Sequence, residues 1–426
     1  MRARLAAVAV AALTLTTLSG CGLGGGGADD DQPDVTGEVK GSVTLQTWAL
    51  KANYSDYIEK LVSGFEKKYP GTKVHWKDQP GDGYADKVLN QASQDELPDV
   101  VNLPPDFAYP LAKQGLLLDV KAADDRLTKE YVSGGIDAYK YPGVEGTYGY
   151  PWYLNTDVNY WNKTLMKKYG LDAAKPPTTL DELIAQAKTM RKRSHGDVYL
   201  MSRMPTLADF VNAGVKVMSN DGKKFTFNTS DAVKLLDKYR KAYGDGLLPP
   251  KVLNNDYEGN SKLYVEGKVA WTTGGGNFIS DTAKDNPSMA AKTVPSTALD
   301  TPPLYVQGMS VSKKSKNLPT AVALARWVTS ATNQKKFAKL VPGIFPSTKA
   351  SAKDPFFSSS DGTPAGDAKT IAFSSLSDAR LLTPPTINDA MNKKIAQQIA
   401  LAMSGKTSSA KALDSAVDEC DKLLND

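Results

Sequence analysis

Between Val43 and Gln114 the hydrophobic pattern switches repeatedly between a period of two and a period near 3.6, which restricts the chain to few folds. Residues 43–48 (VTLQTW) alternate as a strand and end on an aromatic. The next segment carries Tyr57, Leu61 and Phe65 on one helical stripe, with Ile58 and Val62 beside it, until Pro70-Gly71 stops it. Residues 73–76 read as a second strand, and residues 84–94 as a helix turning Val88, Leu89 and Ala92 inward. Residues 99–103 make a third strand, and a short helix over 106–114 is closed by Gly115. This spacing predicts an α/β fold whose parallel sheet is covered by helices on both faces. Ligands of such sheets sit outside the carboxyl ends of the strands, which puts Trp48, Asn102 and Pro104-Pro105-Asp106 at a candidate site.

Residues 148–165 (YGYPWYLNTDVNYWNKTL) break the pattern; extended and rich in Tyr and Trp, they lead into a second unit. It opens on Pro176-Pro177-Thr178-Thr179, where Thr179 and Glu182 form a capping box for a helix carrying Leu180, Ile184 and Ala187. Ser230 caps a helix with Val233, Leu236 and Tyr239. Residues 265–273 run from a helix end into a strand that enters Gly274-Gly275-Gly276-Asn277-Phe278, and residues 304–311 are extended again. Pro319 opens a helix whose Leu324, Trp327 and Val328 read as core. Two helices close the chain, one with Ile387, Met391, Ile395 and Ile399 on a ladder, the other with Leu413, Val417, Cys420 and Leu424 on a stripe. In that position Cys420 is a small buried hydrophobe rather than a reactive thiol.

The chain begins as a secretory signal does, with Arg2 and Arg4, an apolar run from Leu5 to Leu18, and small residues before Cys21. The run is too short and too poor in large side chains to span a bilayer. Leu18-Ser19-Gly20-Cys21 resembles a lipobox, in which the thiol takes a lipid and becomes the first mature residue. Residues 22–31 (GLGGGGADDD) then read as a solvated tether, and the protein is expected at the outer face of the cell membrane. Beyond the tether, roughly 385 residues are enough for two domains with real cores. The net charge of +5 comes from basic residues interleaved with acidic ones, so no nucleic-acid stripe is expected. Cys420 has no second cysteine to pair with once Cys21 is lipidated. His75 and His195 are the only histidines, too few for a zinc site or a Ser-His-Asp triad, so no metal, cofactor or hydrolytic chemistry is expected.

Several stretches stand in an order that resembles a known family. They are FEKKYPGTKV from Phe65, ELPDVVNLPPDFAYPLAKQGLLLDV from Glu96, YGYPWYLNTDVNYWNKTLMKKYGL from Tyr148, PPTTLDELIAQAKTM from Pro176 and EGKVAWTTGGGNF from Glu266. With the closing helices they resemble the carbohydrate-binding lipoproteins of bacterial ABC importers, the maltose-binding type. The resemblance implies a periplasmic-binding-protein-like fold, with two α/β lobes, about three chain crossings and closure of the cleft on its ligand. It also implies a monomeric receptor, not an enzyme, that passes a carbohydrate to membrane permease subunits and touches the membrane only through its lipid. Crossings near Asn155, Gln307 and Ala379 would give a signal peptide at 1–20 and a tether at 21–40. One lobe would then comprise 41–154 and 307–378, the other 155–306 and 379–426.

Position by position, Asp106 falls where the family often has a carboxylate that accepts sugar hydroxyls, and Asn155 where it has an acid on the crossing strand. The turn Gly275-Gly276-Asn277-Phe278 falls where the family commonly places a tryptophan against the ring; here Asn277 holds that position, with Phe278 beside it. Pro104 stands where a polar or aromatic residue is more usual, so maltose itself is not implied.

A sugar offers an apolar C–H face and a rim of hydroxyls, so its site needs flat aromatics and planar hydrogen-bonding side chains. The expected cleft edges hold Trp48, Tyr84, Trp152, Tyr153, Phe278 and Tyr305 for the first role. Asn102, Asp106, Asn155, Asn277 and Gln307 serve the second, while Gly275 and Gly276 leave room for a ring or make a tight turn. Trp48 and Trp152 stay open between ligand and core, and Asp106 between ligand and helix cap. Two alternative functions stand beside the sugar receptor. One is the same receptor for a non-sugar, anionic or amino-sugar solute. The other is a surface glycosidase pairing Asp106 with Asp256 or Glu258 about 5–10 Å apart.

Overall fold

The computed structural model describes residues 35–254 and 257–425. Cys21, the signal segment, Asp256 and the side chain of Glu258 lie outside what is described. The alternation read from the sequence produces β1 (Gly41–Trp48), α1 (Lys51–Lys68), β2 (Thr72–Gln79), α2 (Tyr84–Ser93), β3 (Val100–Leu103) and α3 (Pro105–Lys113). β1 pairs in parallel with β2, Gly41 opposite Thr72, and with β3 on its other side. The further strands are β4 (Tyr150–Asn155), β5 (Asp157–Asn162), β6 (Trp271–Gly275), β7 (Thr293–Ser296), β8 (Tyr305–Val311) and β9 (Phe345–Pro346).

They form two sheets, a large one of order β2-β1-β3-β8-β4-β9 and a small one of order β6-β5-β7. β8 lies antiparallel between β3 and β4, and β9 is antiparallel to β4, so the expected parallel sheet is confined to β1–β3. A strand returning from the other sheet needs no crossover helix and can enter in either direction. The small sheet is antiparallel throughout.

The remaining longer helices are α4 (Lys163–Lys168), α5 (Leu180–Arg193), α6 (Leu207–Asn212), α7 (Ser230–Gly244) and α8 (Phe278–Asp285). They continue with α9 (Leu318–Val328), α10 (Ala331–Leu340), α11 (Pro364–Ser375), α12 (Asp389–Met403) and α13 (Ser409–Asn425). One face of the large sheet buries Leu45 and Val100 against Ile58 and Phe65 of α1, Leu324 and Val328 of α9, and Phe337 of α10. The other face packs Val101 and Leu103 against Val88 of α2 and Leu111 of α3. Beside the small sheet, Trp161 and Trp271 meet Leu183, Phe210, Leu236, Ile395, Leu413 and Cys420. Each such large apolar side chain contributes about 1.5–3 kcal/mol by leaving water. Burial also pushes the Cys420 thiol up to about 12, with Asp421 and Glu419 adding, so it stays protonated.

The chain passes between sheets three times in all. Only Thr156 separates β4 from β5, and residues 297–304 return from β7 to β8. The third passage is drawn out. α11 packs on β7 and β5, Leu376 and Ala379 then rejoin the cluster of Leu103 and Leu304, and α12 enters the core of the small-sheet side.

Local chemistry departs from expectation at a few positions. Leu89 is 37% exposed, because Tyr84, Val88 and Ala92 fill the inward stripe of α2. The N-cap of α7 is Thr229 rather than Ser230; its hydroxyl accepts from the Ala232 N–H at 3.2 Å. At α5, Thr179 Oγ1 accepts from the Glu182 N–H at 3.2 Å, while the Glu182 carboxylate reaches back to the Thr178 N–H at 2.8 Å. The buried stripe of that helix is Leu183, Ala187 and Met190, one step round from Leu180 and Ile184. Trp327 is only half-buried, its Nε1 donating to the Leu61 carbonyl at 2.8 Å.

Candidate functional site

β1 delivers Trp48 to its carboxyl end, and the chain then turns at Ala49, whose φ of 54° is a left-handed conformation that L residues seldom adopt. Asp78 holds that turn by accepting from Thr47 Oγ1 at 2.6 Å, the Leu50 N–H at 3.1 Å and the Lys51 N–H at 2.9 Å. The Trp48 ring stacks on Tyr84 at 5.3 Å between centroids, and Phe107 lies 5.5 Å away. Tyr84 is buried, its hydroxyl donating to the Asn102 carbonyl at 2.8 Å. Asn102 in turn donates its amide to Gln307 Oε1 at 3.0 Å and to the Gly308 carbonyl at 3.1 Å.

Two further tyrosines anchor the step from β3 into α3. Tyr139 donates to the Leu103 carbonyl at 2.6 Å and Tyr141 to the Pro105 carbonyl at 3.0 Å. They satisfy buried acceptors that the strand can no longer pair, and they fix where Asp106 stands. Asp106 is not the cap, since Pro104 holds that position. Its carboxyl is pushed up to about 6, chiefly by burial, with Asp389 at the start of α12 adding and the N–H groups of Asp106 and Phe107 opposing. α3 packs on the large sheet and α12 in the small-sheet core, so the small contribution of Asp389 comes from the other lobe.

Where the two sheets meet, Tyr305 at the start of β8 is 46% exposed and donates to Oδ2 of Asp157, the first residue of β5, at 3.2 Å. Both line a cavity of about 100 Å³ shared with Arg203, Asp209, Asn212 and Trp271. Arg203 holds Asp209 in a two-pronged pair at 2.7 and 2.9 Å, and its guanidinium lies 5.5 Å over the Trp271 ring. Asp209 also accepts the Thr206 N–H at 2.7 Å and its hydroxyl at 3.0 Å. Burial opposes ionisation, yet Arg203 and Thr206 together hold the Asp209 carboxyl below the usual range. Arg203→Ala leaves that carboxylate largely uncompensated, and the expected loss is about 2 kcal/mol in urea unfolding. Arg203→Lys, which keeps the charge but not the fork, recovers only part of it.

Of the residues expected from the sequence, Trp48, Tyr84, Asn102 and Gln307 are linked to one another, and Asp106 immediately precedes Phe107, whose ring lies beside Trp48. Trp152 is elsewhere: fully buried, it stacks on Phe337 at 4.6 Å and 9° in the core of the large-sheet side. Tyr153 is half-buried beside both rings. Asn155 is engaged at the crossing, where its Oδ1 accepts the Thr156 N–H at 2.7 Å. The glycines are closely approached: a Cβ on Gly276 would stand 3.0 Å from Ala372 of α11 and one on Gly275 2.8 Å from Asn277 Oδ1. Asn277 donates to Asp281 at 2.5 Å across the first turn of α8, and Phe278 packs on Tyr160 at 4.7 Å. Sequence reasoning missed Phe107, Asp157, Arg203, Asp209, Trp271 and Asp389. The T-x-x-D spacing of Thr206 and Asp209 was a readable capping signal; nothing local marks Asp389.

Two α/β lobes, joined by a chain that passes from one sheet to the other at Thr156 and again over residues 297–304, define a cleft-type solute receptor. Residues 60–365 match the model of the bacterial extracellular solute-binding proteins, and the chain belongs to that family. The melibiose/raffinose/stachyose-binding protein MelE of Bacillus subtilis is 21% identical over 325 residues, covering 70% of this chain and 73% of that one. A maltooligosaccharide ABC transporter solute-binding lipoprotein of Streptococcus pneumoniae is 31% identical over 136 residues, 32% of this chain and 30% of its own length. The crystal structure of a periplasmic-binding protein from Synechococcus sp. MITs9220 superposes with a TM-score of 0.78 at 27% identity, covering 90% of this chain and 99% of that one.

Proposed function

We propose that this protein captures a sugar or small oligosaccharide between its lobes and presents it to the permease subunits of an ABC importer. It works as a monomer at the outer face of the cell membrane, held by a lipid on Cys21. The observation that carries the reading is the Trp48–Tyr84 stack, with the Phe107 ring beside it and the Tyr84 hydroxyl tied to Asn102 of the Asn102–Gln307 amide pair. An aromatic face and planar hydrogen-bonding groups side by side match the two surfaces of a pyranose. The names of the relatives in Bacillus and Streptococcus support the same ligand class.

The lobes divide at Thr156, within residues 297–304, and again between β9 and α12, with α11 assigned to the small-sheet lobe on which it packs. A ligand touching both Asp106 and Asp157 binds the closed form better than the open one and so draws the lobes together. The carboxylates of Asp106, Asp389 and Asp157 repel an anionic solute, so a neutral sugar is favoured over that alternative.

Calorimetric titration with neutral mono- and oligosaccharides, α-galactosides and maltooligosaccharides included, tests this. At least one should bind near the micromolar range, about −8 kcal/mol, and be recovered intact. Binding of a carboxylated or phosphorylated solute with no response to any neutral sugar would end the proposal.

A further inference from the structure

We infer that the groove between α1 and α9, with the adjoining surface of α10, is a second membrane contact, one that docks on an anionic phospholipid bilayer. The groove encloses about 900 Å³, and Val35, Val39, Lys60, Lys68, Trp327 and Lys336 are among the residues that line it. Its acids are spoken for: Asp124 and Glu130 both pair with Arg326. Lys60, Lys68 and Lys336 are exposed and make no ion pair among the described residues. Lys68 lies 5.2 Å over the half-buried Trp327 ring, an arrangement suited to a boundary where one end is apolar and the other wet.

The neighbouring surface adds apolar side chains to this positive charge. Leu340, one helical turn along α10 from Lys336, is 54% exposed, and Phe356 is 43% exposed. Lys339 and Lys369 stand 5.1 and 4.7 Å from the Phe356 ring. Exposed large hydrophobics are few among the described residues, and two of them fall in this lysine-rich patch. Lysines that reach phosphates while Leu and Phe enter the headgroup boundary are what an anionic bilayer binds.

Position in the chain selects the bilayer over other anions. Val35 and Val39 bring the chain into this groove, and Val35 is 14 residues on from Cys21. That length reaches at most about 50 Å, so a lipid on Cys21 keeps this face of the body near the membrane. The contact therefore acts beside the proposed anchor and orients the receptor; the test below does not depend on the lipid or on the sugar reading.

The chain from Gly22, which carries the whole compact unit Pro33–Asp426 and no lipid, is sedimented with vesicles. It should bind vesicles containing a third phosphatidylglycerol, ignore pure phosphatidylcholine, and lose binding as salt rises. Charge reversal of Lys60, Lys68 and Lys336 together to Glu should lower partitioning on the order of 100-fold. Reversal of Lys163, Lys167 and Lys168, which line a separate groove, should leave it unchanged. Leu340→Ser with Phe356→Ser should weaken binding independently of charge, a readout that survives if the lysine variant folds poorly. Equal binding to both vesicle types, no binding at low salt, equal loss from the two lysine sets, or displacement by inorganic phosphate would each overturn the inference.

Discussion

Asp106→Asn should weaken sugar binding by about 10–100-fold at pH 7.5, the loss of a charge-assisted hydrogen bond, and at the same pH make the empty protein more stable. The two effects share one cause. Burial and the nearby Asp389 raise the Asp106 carboxyl from 3.8 to about 6 in the folded chain. Between those values the folded state keeps a proton that the unfolded state has released. Stability therefore falls as pH rises from about 4 to about 6 and stays at the lower level above that. An amide carries no such cost, so the variant gains over the parent at pH 7.5 and matches it near pH 4. Thermal melts at the two pH values read this directly.

Ligand affinity runs the other way. If the carboxylate is the form that accepts sugar hydroxyls, binding by the parent declines about tenfold for each pH unit below 6. Binding by the Asn variant stays flat over the same range. A parent whose affinity is level from pH 7.5 to 5, or a variant that binds as the parent does, would remove Asp106 from the site. Asp389→Asn supplies the matching control. Taking away the like charge should bring the Asp106 carboxyl down and move the parent's pH break to lower values.

What could be read in advance was what local periodicity encodes. The ladder of Ile387, Met391, Ile395 and Ile399 is buried as its spacing requires, and the β1–α1–β2–α2–β3 run folds as its alternation predicts. The errors lie where the deciding contact is distant in sequence. Asn102 meets Gln307 across 205 positions because β8 inserts beside β3, and no pattern near either residue announces that pairing. The effect of Asp389 on Asp106 likewise comes from a residue far along the chain. The glycine run has a further neighbour that no local pattern shows: Gly276 lies close under α11, a helix that arrives nearly a hundred residues later. Trp48 and Trp152 were ambiguous because a flat ring suits a core as well as it suits a sugar face. Only position relative to the sheets separates Trp48 from Trp152.

That separation has a measurable consequence. Trp152→Ala should cost about 3–5 kcal/mol in urea unfolding, since it empties a large volume against Phe337 in a core too well packed to collapse around it. The folded fraction should still bind sugar with the parent's affinity. Trp152→Phe should be milder than its lost volume suggests, because the Trp152 Nε1–H has no hydrogen-bond partner among the described residues and the substitution removes that buried donor along with the ring atoms. Trp48→Ala should show the reverse profile. It loses the stack on Tyr84 and Phe107 near the surface, a modest stability cost of about 1–2 kcal/mol, but weakens sugar binding tenfold or more by deleting the ring face. Were Trp152→Ala to unfold like the parent and lose the ligand, Trp152 would be a cleft residue after all and the division of the large-sheet side into core and site would have to be redrawn.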